Sequence, residues 1–387
     1  MTLDARKKSE HRSAVVQLRQ NHSARSHAAP AATVDVVVIG HTGQVGSELV
    51  ASLARLKPAP GQPRLLLAEG INRSKHLLID DDQTREHSRA AGALSELGRR
   101  LSQRERPAIV VDCTADPQLS RYYPEWLRAG FGVVTPNKHG FAGDISLYRT
   151  IQQAAVEGRA PLGYSATVGA GLPILSSLKR LRAGGKQPES VFAVVSGTLS
   201  HVFSRLSTGL SLSAAVEDAR ARGYTEPDPL EDLSGRDVER KLLIMLRESG
   251  LDNASVHREP VVDDYWAAAA RGEGDVIAAL RSKDAIWAQR RKAAQAAGKV
   301  WVYLAQSGPG GARVGPVEVE QDSPFAQLSG SGNLAHIRLP DDPQTPLTIH
   351  GPGAGVAVTA GAVLADVVDA GVRLGNQHDN QHDNQRR

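Results

Sequence analysis

Polar and charged positions dominate the first 33 residues, after which the pattern turns to VDVVVIG (34–40), an apolar run of β-branched residues closed by glycine. HTGQVGSELVASLARL follows with apolar residues at helical spacing, so the pair predicts a strand, a turn and a helix. RLLLAEGI (64–71), AIVVDCT (108–114) and FGVVTPN (131–137) predict three more buried strands, with helices expected near 86–103, 118–129 and 144–158. Strands alternating with helices require right-handed crossovers and build a parallel sheet covered on both faces. The first half is therefore expected to be a doubly wound α/β domain. Beyond about residue 165 the order becomes mixed. A glycine-rich turn, ATVGAGLPI, leads into a helix expected to reach Arg182, SVFAVVSGTL predicts a strand, and helices are expected at 211–222 and 234–249. Weaker strands are expected at 300–306, 312–320 and 334–340, and a last helix from Ala354 or Val356 to Arg373. That is an α+β region, not a second winding.

Bulk properties exclude several classes. A chain of 387 residues with 41% hydrophobic and 23% charged residues has room for two domains with real cores. The formal net charge is only +4, and much of the excess lies before residue 34, in Arg6, Lys7, Lys8, Arg12, Arg19 and Arg25. No basic stripe on a folded face is apparent, so no nucleic-acid partner is expected. No apolar run is long enough to span a bilayer, and the N-terminus lacks the apolar centre of a secretory signal. The single cysteine, Cys113, rules out an internal disulfide and points to a reducing, cytoplasmic setting. Residues 1–33 are expected to form a disordered basic tail. The low-complexity NQHDNQHDNQRR at the other end makes 376–387 a second solvated tail.

Gly40-His41-Thr42-Gly43-Gln44-Val45-Gly46 stands between the first strand and first helix. There a dinucleotide fold places the loop that lets backbone approach a pyrophosphate at a helix N-terminus. The context makes 34–165 a Rossmann-like NAD(P)-binding domain. The spacing is GxxGxxG, so an altered first turn is expected. Where NAD-preferring proteins carry an acid after strand two, this chain has Asn72-Arg73-Ser74-Lys75. Cations there suit a 2'-phosphate, which favours NADP over NAD.

In the second half, GYTEPDPLEDLSGRDVERK packs six carboxylates, Glu226, Asp228, Glu231, Asp232, Asp237 and Glu239, into the nineteen residues from Gly223 to Lys241. A solvated turn before a surface helix is the ordinary explanation. Ser234-Gly235-Arg236-Asp237 has the form of a capping box. Asp237 and Lys241, four apart, share one helix face and can pair or share a ligand, while Val238, Leu242 and Met245 bury the same helix. A lysine and a carboxylate at a cleft edge would serve as a proton donor for carbonyl reduction.

These blocks, with TPNK at 135–138, ATVGAGLPI at 166–174, SGTLSHVF at 196–203 and GPGAGVAVTAGAVLADV at 351–367, resemble homoserine dehydrogenase. The likeness runs in family order from about Val34 to Gly375 and is greatest to the dehydrogenase half of the bifunctional aspartokinase/homoserine dehydrogenases. It implies a reversible hydride transfer in which NAD(P)H reduces L-aspartate 4-semialdehyde to L-homoserine, on the route to threonine and methionine. By the resemblance, Lys241 matches the proton donor and acceptor, and Lys138 a lysine near the nicotinamide and substrate. Glu226 matches the acid that holds the amino group and Asp237 a substrate-binding carboxylate. Asp232 and Tyr224, in the same block, are further substrate-side candidates. Gly40, Gly43, Gln44, Val45, Gly46, Arg73, Thr114, Gly353 and Gly355 match the cofactor side. A monovalent cation such as sodium or potassium is implied at the backbone carbonyls of Ser165, Val168, Ala170 and Leu172, although Ser165 stands where an acid is expected. A substrate and dimerisation domain at 166–350, a returning loop and helix at 351–375, and a homodimer are implied with it; strands such as 312–320 would supply edges.

The resemblance leaves out the kinase half and its regulatory modules. No kinase activity and no threonine inhibition through such modules are therefore expected, and 1–33 reads as a linker remnant. Two alternatives stand beside this reading. A semialdehyde or glyceraldehyde-phosphate type dehydrogenase needs a nucleophilic cysteine at the start of a second-domain helix, whereas Cys113 falls on a first-domain strand. A degenerate homologue that binds nucleotide without turnover would be free to lose Glu226, Asp237, Lys138 or Lys241, and the chain keeps all four.

Overall fold

A computed structural model describes residues 32–80, 83–88, 93–104, 106–272, 274–328 and 330–386. The basic tail expected at 1–33 lies, through residue 31, outside them. The chain forms two compact units, Met1–Thr167 with Gly355–Arg387, and Val168–Ala354.

The first unit is built on β1 (Thr33–Ile39), β2 (Arg64–Ile71), β3 (Lys75–Asp80), β4 (Gln83–Ser88), β5 (Ala108–Asp112), β6 (Gly132–Val134) and β7 (Leu162–Gly163), in the order β4-β3-β2-β1-β5-β6-β7. From β2 to β7 all neighbours are parallel, and the order reverses between β1 and β5, the switch point where open α/β sheets bind ligands. β3 and β4 extend the β2 edge as an antiparallel hairpin where helix was expected from residue 86. Exposed Arg85, Glu86, His87 and Ser88 give no apolar helical face, and Lys75 Nζ pairs with Glu86 across the strands at 2.5 Å. Among the described residues of that span, helix forms at Leu97–Ser102. Helix Gln44–Arg55 buries Leu49, Val50, Leu53 and Ala54 on one stripe against Val34, Val36 and Val38 of β1. Val363, Val367, Ala370 and Leu374 of the last helix, spaced four, three and four apart, enter the same core. Each valine or leucine among them contributes roughly 1.5–3 kcal/mol on full burial. That helix runs Val356–Arg386, past the expected end at Arg373 and through the segment expected to be an unstructured tail. No proline or glycine follows Gly375, so nothing in the polar repeat breaks the backbone ladder.

The second unit carries β8 (Ser190–Val194), β9 (Val256–Arg258), β10 (Lys299–Gly308), β11 (Gly311–Glu320), β12 (Gly332–Leu339) and β13 (Asp342–Pro352), ordered β13-β12-β8-β10-β11-β9. Strand β8 is shorter than expected. Ser196 caps a helix, Gly197–Ser207, by accepting from Leu199 N at 3.2 Å, so SGTLSHVF is helical. Phe203 of that helix meets Trp287 edge-on at 5.4 Å and Tyr303 of β10 at 6.0 Å. Val302 and Leu304 of β10, by strand alternation, face the other way and cluster with Val194, Leu328 and Leu334, flanked by half-buried Phe192, Val317, Val319 and Phe325. β11 is not the sheet edge: β9 covers it at Ala312–Val314.

Candidate active site

In the first unit the loops at the ends of β1, β5 and β6 adjoin. Gly40 turns with φ +82°, and a side chain there would meet Thr114 Cγ2 at 2.9 Å and the Cys113 carbonyl oxygen at 3.1 Å. Gly43 donates its N–H to Gly40 O at 2.9 Å and caps helix Gln44–Arg55, whose first residues are Gln44 and Val45. Gly46 lies so close that a Cβ would stand 2.2 Å from Gly40 O. The expected altered turn thus has a clear form: one glycine for the positive φ, one for the cap and one for the close helix contact. The helix N-terminus there presents backbone N–H groups suited to an anion.

At the end of β2, Asn72 bridges to the glycine loop by donating from Nδ2 to Thr42 Oγ1 at 3.2 Å, and its Oδ1 accepts from Ser74 N and Lys75 N at 2.9 and 2.7 Å. Arg73 stands exposed at the tip of this turn, whereas Lys75 is committed to Glu86. Glu69, the last acid of β2, is 1% exposed and accepts from His76 Nε2 at 2.8 Å and Arg100 NH2 at 3.0 Å. Burial raises its pKa, but these two partners outweigh it and leave it below the usual carboxylate range. Both partners take Oε2, and the side chain is enclosed within the first unit. Lys138 follows Asn137 and precedes the short helix His139–Ala142. Cys113 sits just past β5 and not on it, packed against the core, with burial first and then Asp112 pushing its thiol pKa far up. A thiol so held is a poor nucleophile.

In the second unit, helix Arg236–Glu248 buries Val238, Leu242 and Met245. Lys241, 13% exposed, borders that buried stripe, and its Nζ reaches Asp237 Oδ2 at 2.7 Å and donates to Val195 O at 2.6 Å. The expected capping box does not form. Pro229–Leu233 makes its own helical turn, Ser234 ends it by donating to Glu231 O at 2.6 Å, and Gly235 becomes the N-cap with φ +71°. Only glycine fits there, because a Cβ would stand 1.8 Å from the Tyr303 hydroxyl. Asp237 is thereby left facing Lys241.

Asp232 anchors the acidic loop, accepting from Glu226 N at 2.9 Å and Thr198 Oγ1 at 2.9 Å. The Thr198 hydroxyl also lies 2.5 Å from Tyr224 O. Burial, reinforced by the nearby charges of Glu226 and Asp237, raises the Asp232 pKa to about 6, although both hydrogen bonds oppose the shift. Asp228 caps the helical turn through Leu230 N at 3.0 Å and binds Arg271 Nε at 2.6 Å, and Glu231 takes Arg271 NH2 at 3.1 Å. Of the six carboxylates, Asp228 and Glu231 are thus engaged with one arginine, and Glu239 with Arg258 at 3.1 Å.

Around the second glycine-rich turn, Ser165 donates its N–H to Asp366 Oδ2 at 2.9 Å and its hydroxyl to the same carboxylate. An acid from the last helix thus stands against Ser165. Gly169 and Ala170 follow with φ of +70° and +48°, a left-handed pair that is costly at alanine, and Leu172 O accepts from Ile174 N at 2.8 Å. In the late loop, Gly353 is pressed against Asn333, whose Nδ2 donates to Gly353 O at 3.3 Å, and Gly355 turns with φ +115°. Among the described residues no cluster of histidine, cysteine and carboxylate residues could hold a metal, and no helix is long and apolar enough to cross a membrane.

Residues 42–164 match the family described as "Homoserine dehydrogenase, NAD binding domain", and residues 173–368 match "Homoserine dehydrogenase". The chain belongs to the homoserine dehydrogenase family. A homoserine dehydrogenase of Emericella nidulans is 36% identical over 367 residues, covering 87% of this chain and 98% of that protein. The chloroplastic bifunctional aspartokinase/homoserine dehydrogenase 2 of Zea mays is 39% identical over 275 residues, 69% of this chain but 29% of that protein. The chain therefore spans 29% to 42% of the length of bifunctional aspartokinase/homoserine dehydrogenase relatives it matches. Among solved structures, a Candida auris protein of unknown function aligns with TM-score 0.78 and 30% identity, covering 87% of this chain and 98% of that one. A hyperthermophilic archaeal homoserine dehydrogenase in complex with NADPH has TM-score 0.67 at 23% identity, over 87% and 97% of the two chains, and shares the fold.

Within this homoserine dehydrogenase fold, sequence reasoning missed Thr198, the Val195 carbonyl and Asp112. An acid closing an apolar strand was the only signal for Asp112; the other two act through contacts far apart in the chain.

Proposed function

We propose that this chain catalyses the reversible NAD(P)H-dependent reduction of L-aspartate 4-semialdehyde to L-homoserine, with NADP the preferred nucleotide. The observation that carries the reading is Lys241, largely buried yet held between Asp237 Oδ2 and Val195 O beside the Glu226–Asp232 loop. A bound nicotinamide supplies the hydride. The chain's own work is to bind, orient and move a proton.

Glu226, its backbone fixed by Asp232, receives the substrate ammonium, for which a carboxylate is the natural partner. Negative charge develops on the carbonyl oxygen as hydride arrives at carbon, and the Lys241 ammonium stabilises that charge and then gives up a proton from Nζ. In the direction of oxidation the neutral amine takes the proton back. Asp237 keeps Lys241 aimed and compensates its charge, and also serves as a substrate contact; Tyr224 and Asp232 shape the same loop. Lys138 acts near the nicotinamide and substrate.

For the nucleotide, Gly40, Gly43, Gln44, Val45 and Gly46 give the pyrophosphate a side-chain-free approach, with Thr114 beside Gly40 and with Gly353 and Gly355 as late-loop contacts. Exposed Arg73 would hold the 2'-phosphate, and Glu69, the one acid of β2, is buried and taken up by His76 and Arg100. A sodium or potassium ion would bind through carbonyls of Ser165, Val168, Ala170 and Leu172, a reading supported by the left-handed turn at Gly169 and Ala170. The half-buried Phe192, Val317, Val319 and Phe325 on one face of the second sheet support a homodimer. The unpaired Cys113 suits the cytoplasm.

The test is purified protein with L-homoserine and NADP or NAD, followed by the absorbance of the reduced nicotinamide. Turnover with NADP exceeding that with NAD is expected. A folded protein inactive with both would refute the assignment.

A further inference from the structure

We propose that Asp112, at the carboxyl end of β5, is a positioning residue that locks the Thr114 turn to the Thr135–Lys138 turn; the proposal rests on the assignment of Thr114 and Lys138 to the nucleotide and the reaction. Its side chain is completely buried. Oδ1 accepts from Thr114 N at 2.8 Å and Thr114 Oγ1 at 2.7 Å, and Oδ2 accepts from Tyr123 Oη at 2.5 Å and Asn137 Nδ2 at 3.0 Å. Its backbone carbonyl takes Thr135 Oγ1 at 2.8 Å, and Thr135 Oγ1 in turn accepts from Asn137 N at 2.8 Å. Asn137 completes the frame by donating to Asp116 O at 2.9 Å and accepting from His139 N at 3.0 Å. Lys138 lies between those last two anchored residues.

Every donor to the carboxylate is neutral. Burial pushes the Asp112 pKa up, and the donors work against that rise. Because all four contacts are donors, the group must act as an acceptor at four places, which the carboxylate can do and an amide cannot. A carboxylate at such a cost in desolvation, with no cation among these four donors, needs a reason. The geometry supplies one: a single group fixes turns at the ends of two neighbouring strands, and through Thr114 it also backs Gly40, whose backbone Thr114 Cγ2 abuts.

Asp112→Asn tests this, since it is nearly isosteric. With its oxygen toward Thr114 it keeps both of those donors but sets an NH2 group against Asn137 Nδ2, so the Thr135–Lys138 turn loosens while the nucleotide turn stays. The expected result is a kcat for homoserine oxidation lowered roughly ten- to hundredfold, with the NADP Kd within about threefold of wild type. Asn137→Ala should lower kcat likewise, and the double variant should be no slower than Asn137→Ala alone, because both cut one link. A kcat for Asp112→Asn within about twofold of wild type, multiplying losses in the double variant, or equal losses in kcat and NADP affinity that track the thermal midpoint would each overturn the proposal. Should Asp112→Asn not fold, Asn137→Ala decides on its own: native kcat overturns the claim, and reduced kcat with native NADP Kd supports it. If wild type binds NADP but does not oxidise homoserine, the functional assignment fails separately. Asp112→Ala must then still weaken the NADP Kd about tenfold by releasing Thr114, and unchanged affinity overturns the positioning role.

Discussion

Lys241 offers the sharpest quantitative prediction. Replacing it by alanine removes the donor at the oxygen, and the loss of positioned general acid–base catalysis lowers kcat roughly 10²- to 10⁴-fold. Stability changes far less. The Val195 carbonyl loses its partner, at about 1–3 kcal/mol if no water replaces it, and Asp237, 48% exposed, regains water so that its lost ion pair costs below about 1 kcal/mol. Lys241→Ala should therefore fold, with a lowered melting temperature and near-native NADP binding. Lys241→Arg separates the two roles of the cation: it keeps the charge but cannot release a proton at neutral pH, so it should recover binding and little turnover. Stopped-flow absorbance of the reduced nicotinamide, with calorimetric NADP titration, measures both. If either variant turned over within about threefold of wild type, the proton would have to come from elsewhere.

Three further outcomes follow from the same contacts. Glu226→Gln removes a charge-assisted bond of about 1.5–3 kcal/mol, so the homoserine KM should rise roughly ten- to hundredfold while the NADP KM holds; a rise in both would place Glu226 in a structural role. Arg73→Ala should cut the NADP-over-NAD preference in kcat/KM about tenfold, given the charge-assisted contact it would remove, and an unchanged ratio sends the 2'-phosphate to other residues. Asp232, with its pKa raised to about 6, gains a proton as pH falls through that value and loses acceptor capacity toward Glu226 N. The homoserine KM should therefore climb below about pH 6, and Asp232→Asn should flatten that limb. The sign for stability is opposite. A raised acid pKa means that the folded state holds the extra proton, so this group's contribution is present at low pH and falls away as pH rises from 3.8 toward about 6. Urea melts across that window, wild type against Asp232→Asn, measure it.

The sequence by itself determined the elements whose physics is local and periodic. The β-branched run at β1, the helix after Gly43 and the buried stripe of Val238, Leu242 and Met245 were legible because burial imposes a fixed spacing along the chain. The pairing of Asp237 with Lys241 was legible for the same reason, since residues four apart on a helix are neighbours. The β3–β4 hairpin was not, because the apolar residues that β3 buries, Leu77 and Ile79 at alternate positions, are too short a run to read as a period, and Arg85, Glu86, His87 and Ser88 of β4 are exposed and polar. The capping box expected of Ser234 gave way for a tertiary reason: the Tyr303 hydroxyl occupies the space beside position 235, so glycine becomes the N-cap and Ser234 Oγ, one residue earlier, accepts from Arg236 N at 3.3 Å. Which of the clustered carboxylates faces which partner was also beyond local reading. Arg271 claims Asp228 and Glu231 from 40 or more residues away, and Thr198 claims Asp232 from 34. Asp112 shows the limit most plainly. Along the chain it is one acid ending an apolar strand with Thr114 two residues on, and only tertiary packing, with β6 set beside β5, brings the donors of Tyr123 and Asn137 to its other oxygen.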